Sequence, residues 1–133
     1  MDNPLAIAFP GEMAELLDRV SANPARDARI PVKRDGRVSF VPVGEIDWVE
    51  ADGDLLRLHT GKGAHVIRET MSQLEAKLPA PEFVRIHRSI IVNARRVREV
   101  QPWFKGDYVL TLNDGTKLRS GRTYRQSVQS LIR

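Results

Sequence analysis

The chain contains no cysteine in 133 residues. That excludes disulfide staples, thiolate metal ligands and a cysteine nucleophile, and it fits a reducing compartment. No apolar run approaches the roughly 18 residues a membrane helix needs, and residues 1–10 lack both the basic flank and the continuous apolar segment of a secretory signal. The sequence therefore reads as a soluble, unexported, cytoplasmic protein with no membrane partner. Aromatic residues are scarce at 6%, with only two Trp and two Tyr beside four Phe. A sheet face of interleaved aromatics for stacking single-stranded bases is therefore hard to build.

A convergent catalytic set is also missing. His59 and His65 bracket a turn and face each other if the hairpin register permits, but no third ligand lies near them. Among the acids Glu45, Asp47, Glu50, Asp52 and Asp54, strand alternation between Ile46 and Trp48 sends Asp47 to the solvent face. Asp52-Gly53 is turn chemistry. Gly61 and Gly63 form a Gly-x-Gly without a third glycine or a following helix, and no motif joins a serine to a base. The chain is accordingly not read as an enzyme, and no cofactor or metal is expected.

What the chain does have is an uneven distribution of charge. The net charge is +4, yet residues 1–28 carry five acids against Arg19 and Arg26, so the rest is more basic than the total implies. Residues 83–98 hold Arg85, Arg88, Arg95, Arg96 and Arg98 with no acid, and residues 115–133 hold Lys117, Arg119, Arg122, Arg125 and Arg133 with none. Two acid-free basic segments make a candidate polyanion footprint. A solvated basic face is the plainer alternative.

The length suits one domain preceded by an arm, since two domains would each have a marginal core. Residues 1–28 form the arm: Met13, Leu16, Leu17 and Val20 lie at helical spacing between Gly11 and the 21–25 segment. From residue 29 to 133 the period shifts towards two. Ile30–Lys33 and Val38–Val43 flank Asp35-Gly36, Ile46–Glu50 and Leu55–Thr60 flank Asp52-Gly53, and Ala64–Ile67 follows Gly61-Lys62-Gly63. Met71, Leu74 and Leu78 predict a two-turn helix ended by Pro79 and Pro81. Strands resume at 83–88, 90–92 and 97–100, a hairpin encloses Asn113-Asp114-Gly115, and Tyr124, Val128 and Leu131 close the chain with a second short helix. The fold class is mainly β, with antiparallel sheets and two short helices.

The most informative segment is Phe83-Val84-Arg85-Ile86-His87-Arg88-Ser89-Ile90-Ile91-Val92-Asn93. Val84, Ile86, Ile90 and Val92 bury one face, Arg85 and His87 project from the other, and Arg88-Ser89 falls where the strand pattern breaks. An arginine at such a break suits guanine readout, because its planar fork pairs with O6 and N7 together, and the adjacent serine hydroxyl suits a phosphate oxygen. His87 and Asn93 are read as satisfying backbone groups at strand ends in preference to touching bases.

This segment resembles the signature of LytTR-type DNA-binding domains, which belong to bacterial transcription and response regulators of two-component systems. In the family's order stand also Ile46-Asp47-Trp48-Val49-Glu50-Ala51, Leu55–Thr60, the helix with Leu74 and Leu78, and Leu118-Arg119-Ser120-Gly121-Arg122-Thr123-Tyr124. The resemblance runs from about Ile30 to Leu131. It implies elongated antiparallel β-sheets that lie along double-stranded DNA and insert loops into successive major grooves. By position it implies that Arg88 and Arg122 read bases, that the Gly53–Arg57 turn with Arg57 makes a third, weaker base contact, and that Arg85, Ser89 and Thr123 touch phosphates. Lys105 is added to the phosphate contacts from charge and loop position. Asp54 and Leu55 depart from the Asn and aromatic that family members often carry, and Gly121 stands where serine is common. The expected function is sequence-specific duplex binding by a transcription regulator, on repeated half-sites, as a homodimer formed on DNA, and under a receiver or sensor domain outside this chain. The alternative is a small β-module that binds RNA or a nucleotide ligand.

Overall fold

A computed structural model describes residues 28–132, so the expected helix within the arm lies outside the described residues. The first hairpin pairs β1 (Arg29–Arg34) with β2 (Arg37–Pro42) around Asp35-Gly36. Next come β3 (Ile46–Asp52), β4 (Leu55–Thr60), β5 (Gly63–Ile67), helix α1 (Met71–Lys77), β6 (Phe83–His87) and β7 (Ile90–Asn93). Their strands form one antiparallel sheet in the order β5-β4-β3-β7-β6. A third sheet, β10-β9-β8, is built from β8 (Val97–Pro102), β9 (Tyr108–Leu112) and β10 (Lys117–Arg119), and α2 (Arg125–Ile132) follows it. The mainly β, antiparallel architecture with two short helices is the one expected.

Two apolar clusters occupy opposite faces of the five-stranded sheet. On one face Ile46, Val49, Leu56, Leu58, Phe83 and Ile91 pack against the first hairpin and α1. On the other, Ile86 and Val92 pack against Leu110, Leu112 and Leu118 of the third sheet and Val128 of α2. Helices of seven and eight residues are too short to persist alone. Leu74 of α1 and Val128 of α2 are fully buried, and each such side chain contributes about 1.5–3 kcal/mol on leaving water. The start of α1 is fixed by a reciprocal cap in which Thr70 Oγ1 accepts from Gln73 N at 3.1 Å and Gln73 Oε1 accepts from Thr70 N at 2.9 Å. Its end is fixed by Leu78, which is extended before Pro79.

Two β-bulges interrupt the central sheet. The first falls between Ile46 and Trp48, so Ile46 and Val49 share a face despite a spacing of three. It corrects the expectation for Asp47, whose side chain is only 17% exposed and lies 3.0 Å from Arg96 Nε. The second falls between Arg85 and His87. It takes Ile86 out of the ladder, and the Ile86 carbonyl accepts instead from Gly121 N at 2.8 Å. Buried Asn93 donates through Nδ2 to the Ile46 carbonyl at 2.9 Å and accepts from Arg95 N at 3.0 Å. His87 Nδ1 accepts from Ser89 N at 3.0 Å, so both residues satisfy backbone groups as the sequence indicates.

Candidate nucleic-acid interface

Four connections lie at one end of the strands. The β3–β4 turn sits beside the β6–β7 turn because Glu50 pairs with Ile90, and Ala51 N donates to the Ser89 carbonyl at 2.9 Å. The β6–β7 turn is tied to the segment after β10 by Gly121 N and the Ile86 carbonyl. That segment is tied in turn to the β8–β9 loop, since Ser120 N donates to the Tyr108 carbonyl at 2.9 Å and Tyr108 N donates to Ser120 Oγ at 2.9 Å. A run of backbone hydrogen bonds therefore sets the spacing of turns that are far apart in sequence. Gly121 sits close under His87: a Cβ on it would lie 3.2 Å from His87 Cδ2, a tight contact from which the imidazole would have to move by a few tenths of an ångström.

Each residue singled out from the sequence can now be placed. Arg88 and Arg122 are exposed on adjacent turns, and Thr123 is exposed next to Arg122. Ser89 is half-buried beside Arg88. Lys105 is exposed at the tip of the β8–β9 loop with φ 54°. Arg57 is the third residue of β4 after the turn, and its guanidinium donates to Asp52 Oδ2 from Nη2 at 2.8 Å and from Nε at 3.1 Å. The first turn thus has part of its cation occupied, and it also exposes Asp54. Arg85 differs from the rest. Its side chain is 16% exposed and sits under α1, where Nη1 lies 3.1 Å from Glu75 Oε1.

The same end holds residues that sequence reasoning passed over. Arg125, counted before only as charge, lies over Gly106, whose absent side chain makes room: a Cβ there would meet Arg125 Nη2 at 1.8 Å. Gly106 also has φ 87°, which disfavours any other residue. Trp103 and Phe104 of the same loop are exposed and meet edge to face. A pair of exposed aromatics after a strand that ends in proline carries a signal only once the loop is known to share an edge with Arg122.

Acids and bases are balanced differently at the other end of the strands. There Glu45, Asp47, Asp114, Lys62 and Arg96 line one cleft. Burial pushes the Asp47 carboxyl above its ordinary value, with the Arg96 guanidinium opposing. The Thr116 backbone N–H, donating to Asp114 Oδ1 at 2.9 Å, holds Asp114 below the ordinary value. Among the described residues no group of three or more His, Cys, Asp or Glu stands close enough to hold a metal ion. His59 pairs with Ala64 and His65 with Leu58, so the two histidines occupy opposite faces instead of confronting each other. His59 stacks on Trp48 with ring centroids 4.1 Å apart, and its Nε2 lies 2.8 Å from Glu50 Oε1. Among the described residues no helix is long and apolar enough to cross a membrane.

Residues 36–133 match the family model of the LytTr DNA-binding domain. The chain is 30% identical over 95 residues to the sensory transduction protein LytT of Bacillus subtilis (strain 168), covering 71% of this chain and 39% of that protein. It is 28% identical over 106 residues to the transcriptional regulatory protein LytR of Staphylococcus aureus (strain N315), covering 80% and 43%. The chain thus spans less than half the length of these relatives. In three dimensions it superposes on the LytTr DNA-binding domain of a methyl-accepting/DNA response regulator from Bacillus cereus with a TM-score of 0.72 and 20% identity, covering 79% of this chain and 96% of that one.

Proposed function

Since this chain belongs to the LytTr family of DNA-binding domains, a family of regulator domains and not of enzymes, we propose that it binds double-stranded DNA sequence-specifically as the effector part of a cytoplasmic transcription regulator. The observation that carries this reading is the pair of exposed arginines, Arg88 and Arg122, on adjacent turns whose separation is set by the hydrogen bond from Gly121 N to the Ile86 carbonyl. A guanidinium on a turn that projects beyond the sheet reaches a major-groove edge without a recognition helix, and its fork matches guanine O6 and N7. Ser89, Thr123 and Lys105 flank these arginines and supply phosphate contacts. The first turn contributes less, because Arg57 is shared with Asp52 and Asp54 repels phosphate.

Two copies on repeated half-sites a whole number of helical turns apart read the duplex from one side, each held by turns too small to give high affinity alone. In this reading a receiver or sensor domain of the regulator supplies the signal to this domain, as the name of the sensory transduction relative suggests.

Titration of a labelled duplex at several salt concentrations tests the reading. With about five phosphates neutralised, log K falls with log salt at a slope near −4.5, a loss of roughly 500-fold between 50 and 200 mM. Duplex is preferred to the corresponding single strand. A slope near zero, or stronger binding to the single strand, refutes the proposal.

A further inference from the structure

We propose that Arg85 is a positioning residue that locks the two base-reading turns together, and that it makes no phosphate contact. The inference rests on Arg88 and Arg122 being the reading residues. A guanidinium has five N–H donors in one plane and no freedom to bend between them. In Arg85 that plane is engaged from several directions. Nη2 donates to the Arg88 carbonyl at 2.6 Å, Nη1 donates to Glu75 Oε1 at 3.1 Å, and Nε reaches the His87 carbonyl at 3.4 Å. The guanidinium carbon also lies 5.7 Å from the centre of the Tyr124 ring. One side chain therefore touches α1, the β6–β7 turn and the segment that carries Arg122.

The engaged carbonyls explain why such a link is needed. The bulge at Ile86 interrupts the β6–β7 ladder, which resumes for the single pair His87–Ile90, so the Arg88 carbonyl in the turn beyond it takes its partner from outside the sheet. Arg85 bonds that carbonyl while Glu75 neutralises its charge, and the guanidinium itself is mostly shielded, with the Arg85 side chain 16% exposed against 50% for Glu75. Swinging this guanidinium out to a phosphate would take its donor from the Arg88 carbonyl and leave Glu75 to water. Charge-assisted bonds of this kind are about twice as strong as neutral ones, and a phosphate contact, itself charge-assisted, would first have to break those to Glu75 and the Arg88 carbonyl. Bidentate base readout tolerates a displacement of only about 0.5 Å, so a loosened turn costs discrimination before it costs affinity for DNA in general.

Two variants separate this role from phosphate contact. Arg85→Lys keeps the charge but cannot bridge Glu75 and the Arg88 carbonyl in one plane. It is expected to lose about 10-fold on the cognate duplex, while random-duplex affinity stays within about 2-fold and the salt slope is unchanged. Glu75→Ala, at an exposed position of α1 that does not threaten the fold, is expected to lose discrimination in the same way. Were Arg85 a phosphate contact, removing Glu75 would free it and strengthen binding to both duplexes, and Arg85→Ala would flatten the slope by about one. Either result overturns the proposal. A measurement without DNA completes the test: amide exchange at Ser89 and Gly121 in the free domain should quicken by about 10-fold in both variants, as expected when local opening is eased. Unchanged exchange also overturns the proposal. Should the wild-type domain show no preference for duplex, the functional reading falls, and the exchange rates still decide the role of Arg85.

Discussion

The two ends of the same strands pair their charges differently. At one end the exposed Arg88, Arg122 and Lys105 stand on connecting turns and Arg125 opens α2, while the acids Asp52 and Asp107 each have an arginine partner and Asp54 is exposed on the β3–β4 turn. At the other end Arg96 is drawn against Asp47, Arg95 faces Glu82 at 3.8 Å, and Lys62 shares a cleft with Glu45 and Asp114. Counted along the chain, Arg85 to Arg98 is one basic block. In space β7 carries the chain about 13 Å from one end of the sheet to the other between Arg88 and Arg95, more than the ~10 Å Debye length at ordinary salt. Charge density in sequence is thus a poor guide to charge density at a surface when a strand intervenes.

The largest expected effect breaks this comparison most directly. Removing Arg88 and Arg122 together should cost about 2–6 kcal/mol on the cognate duplex, at about 1–3 each, and much less on random DNA. Removing Arg95 and Arg98 together should change cognate affinity by no more than about 0.5 kcal/mol, because both lie at the remote end and are screened from the duplex. Equal losses in an anisotropy titration would show that the two ends are not distinct.

A smaller effect comes from the DNA. Inserting about five base pairs between two half-sites rotates one copy to the far side of the duplex, and joint binding should weaken on the order of 100-fold, the low end of what linked sites gain. A gel-shift that shows two copies bound equally well to normal and half-turn-shifted duplexes would show that they act independently.

The smallest effect sharpens the comparison from the acidic end. Burial raises the folded-state pKa of Asp47, so the folded domain holds its proton more tightly than the unfolded chain does. The associated stability is fully present below the unfolded value and is lost as pH rises through the folded one. Asp47→Asn should therefore match the wild type in acid and be slightly the more stable at neutral pH, as read from unfolding temperatures across that range. A variant less stable at neutral pH would mean that the Arg96 pair outweighs burial.

The turns were the most legible part of the fold. Asp35-Gly36, Asp52-Gly53 and Asn113-Asp114-Gly115 each close a hairpin where the sequence puts one, because a loop of this kind needs backbone angles that few residues adopt. The apolar set Val84, Ile86, Ile90 and Val92 was legible too, and all four face the third sheet. The bulges were not. Nothing in Ile46-Asp47-Trp48 or Arg85-Ile86-His87 marks an extra residue, yet each one reverses the alternation beyond it, so Asp47 leaves the solvent face. The histidine pair failed for a related reason, since one residue of register separates His59 from His65 across β4 and β5. For the candidate site, alternation correctly turned Arg85 away from the cluster around Ile86. Whether α1 would cover that opposite face is a matter of tertiary packing that no local pattern encodes.

Arg88 and Arg122 belong to neither apolar cluster, and the two-residue turn bearing Arg88 begins and ends on strands whose buried side chains lie elsewhere. Exchanging either arginine for another polar residue leaves the packing that holds the domain together untouched. Operator preference can therefore drift over evolutionary time at almost no penalty in foldedness, and the same positions are the natural ones to randomise in a laboratory search for new DNA targets. Length is a different matter. A residue inserted between His87 and Ile90 would shift the carbonyls that meet Ala51 and Gly121, so heritable variation in these turns should consist of substitutions and almost never of insertions.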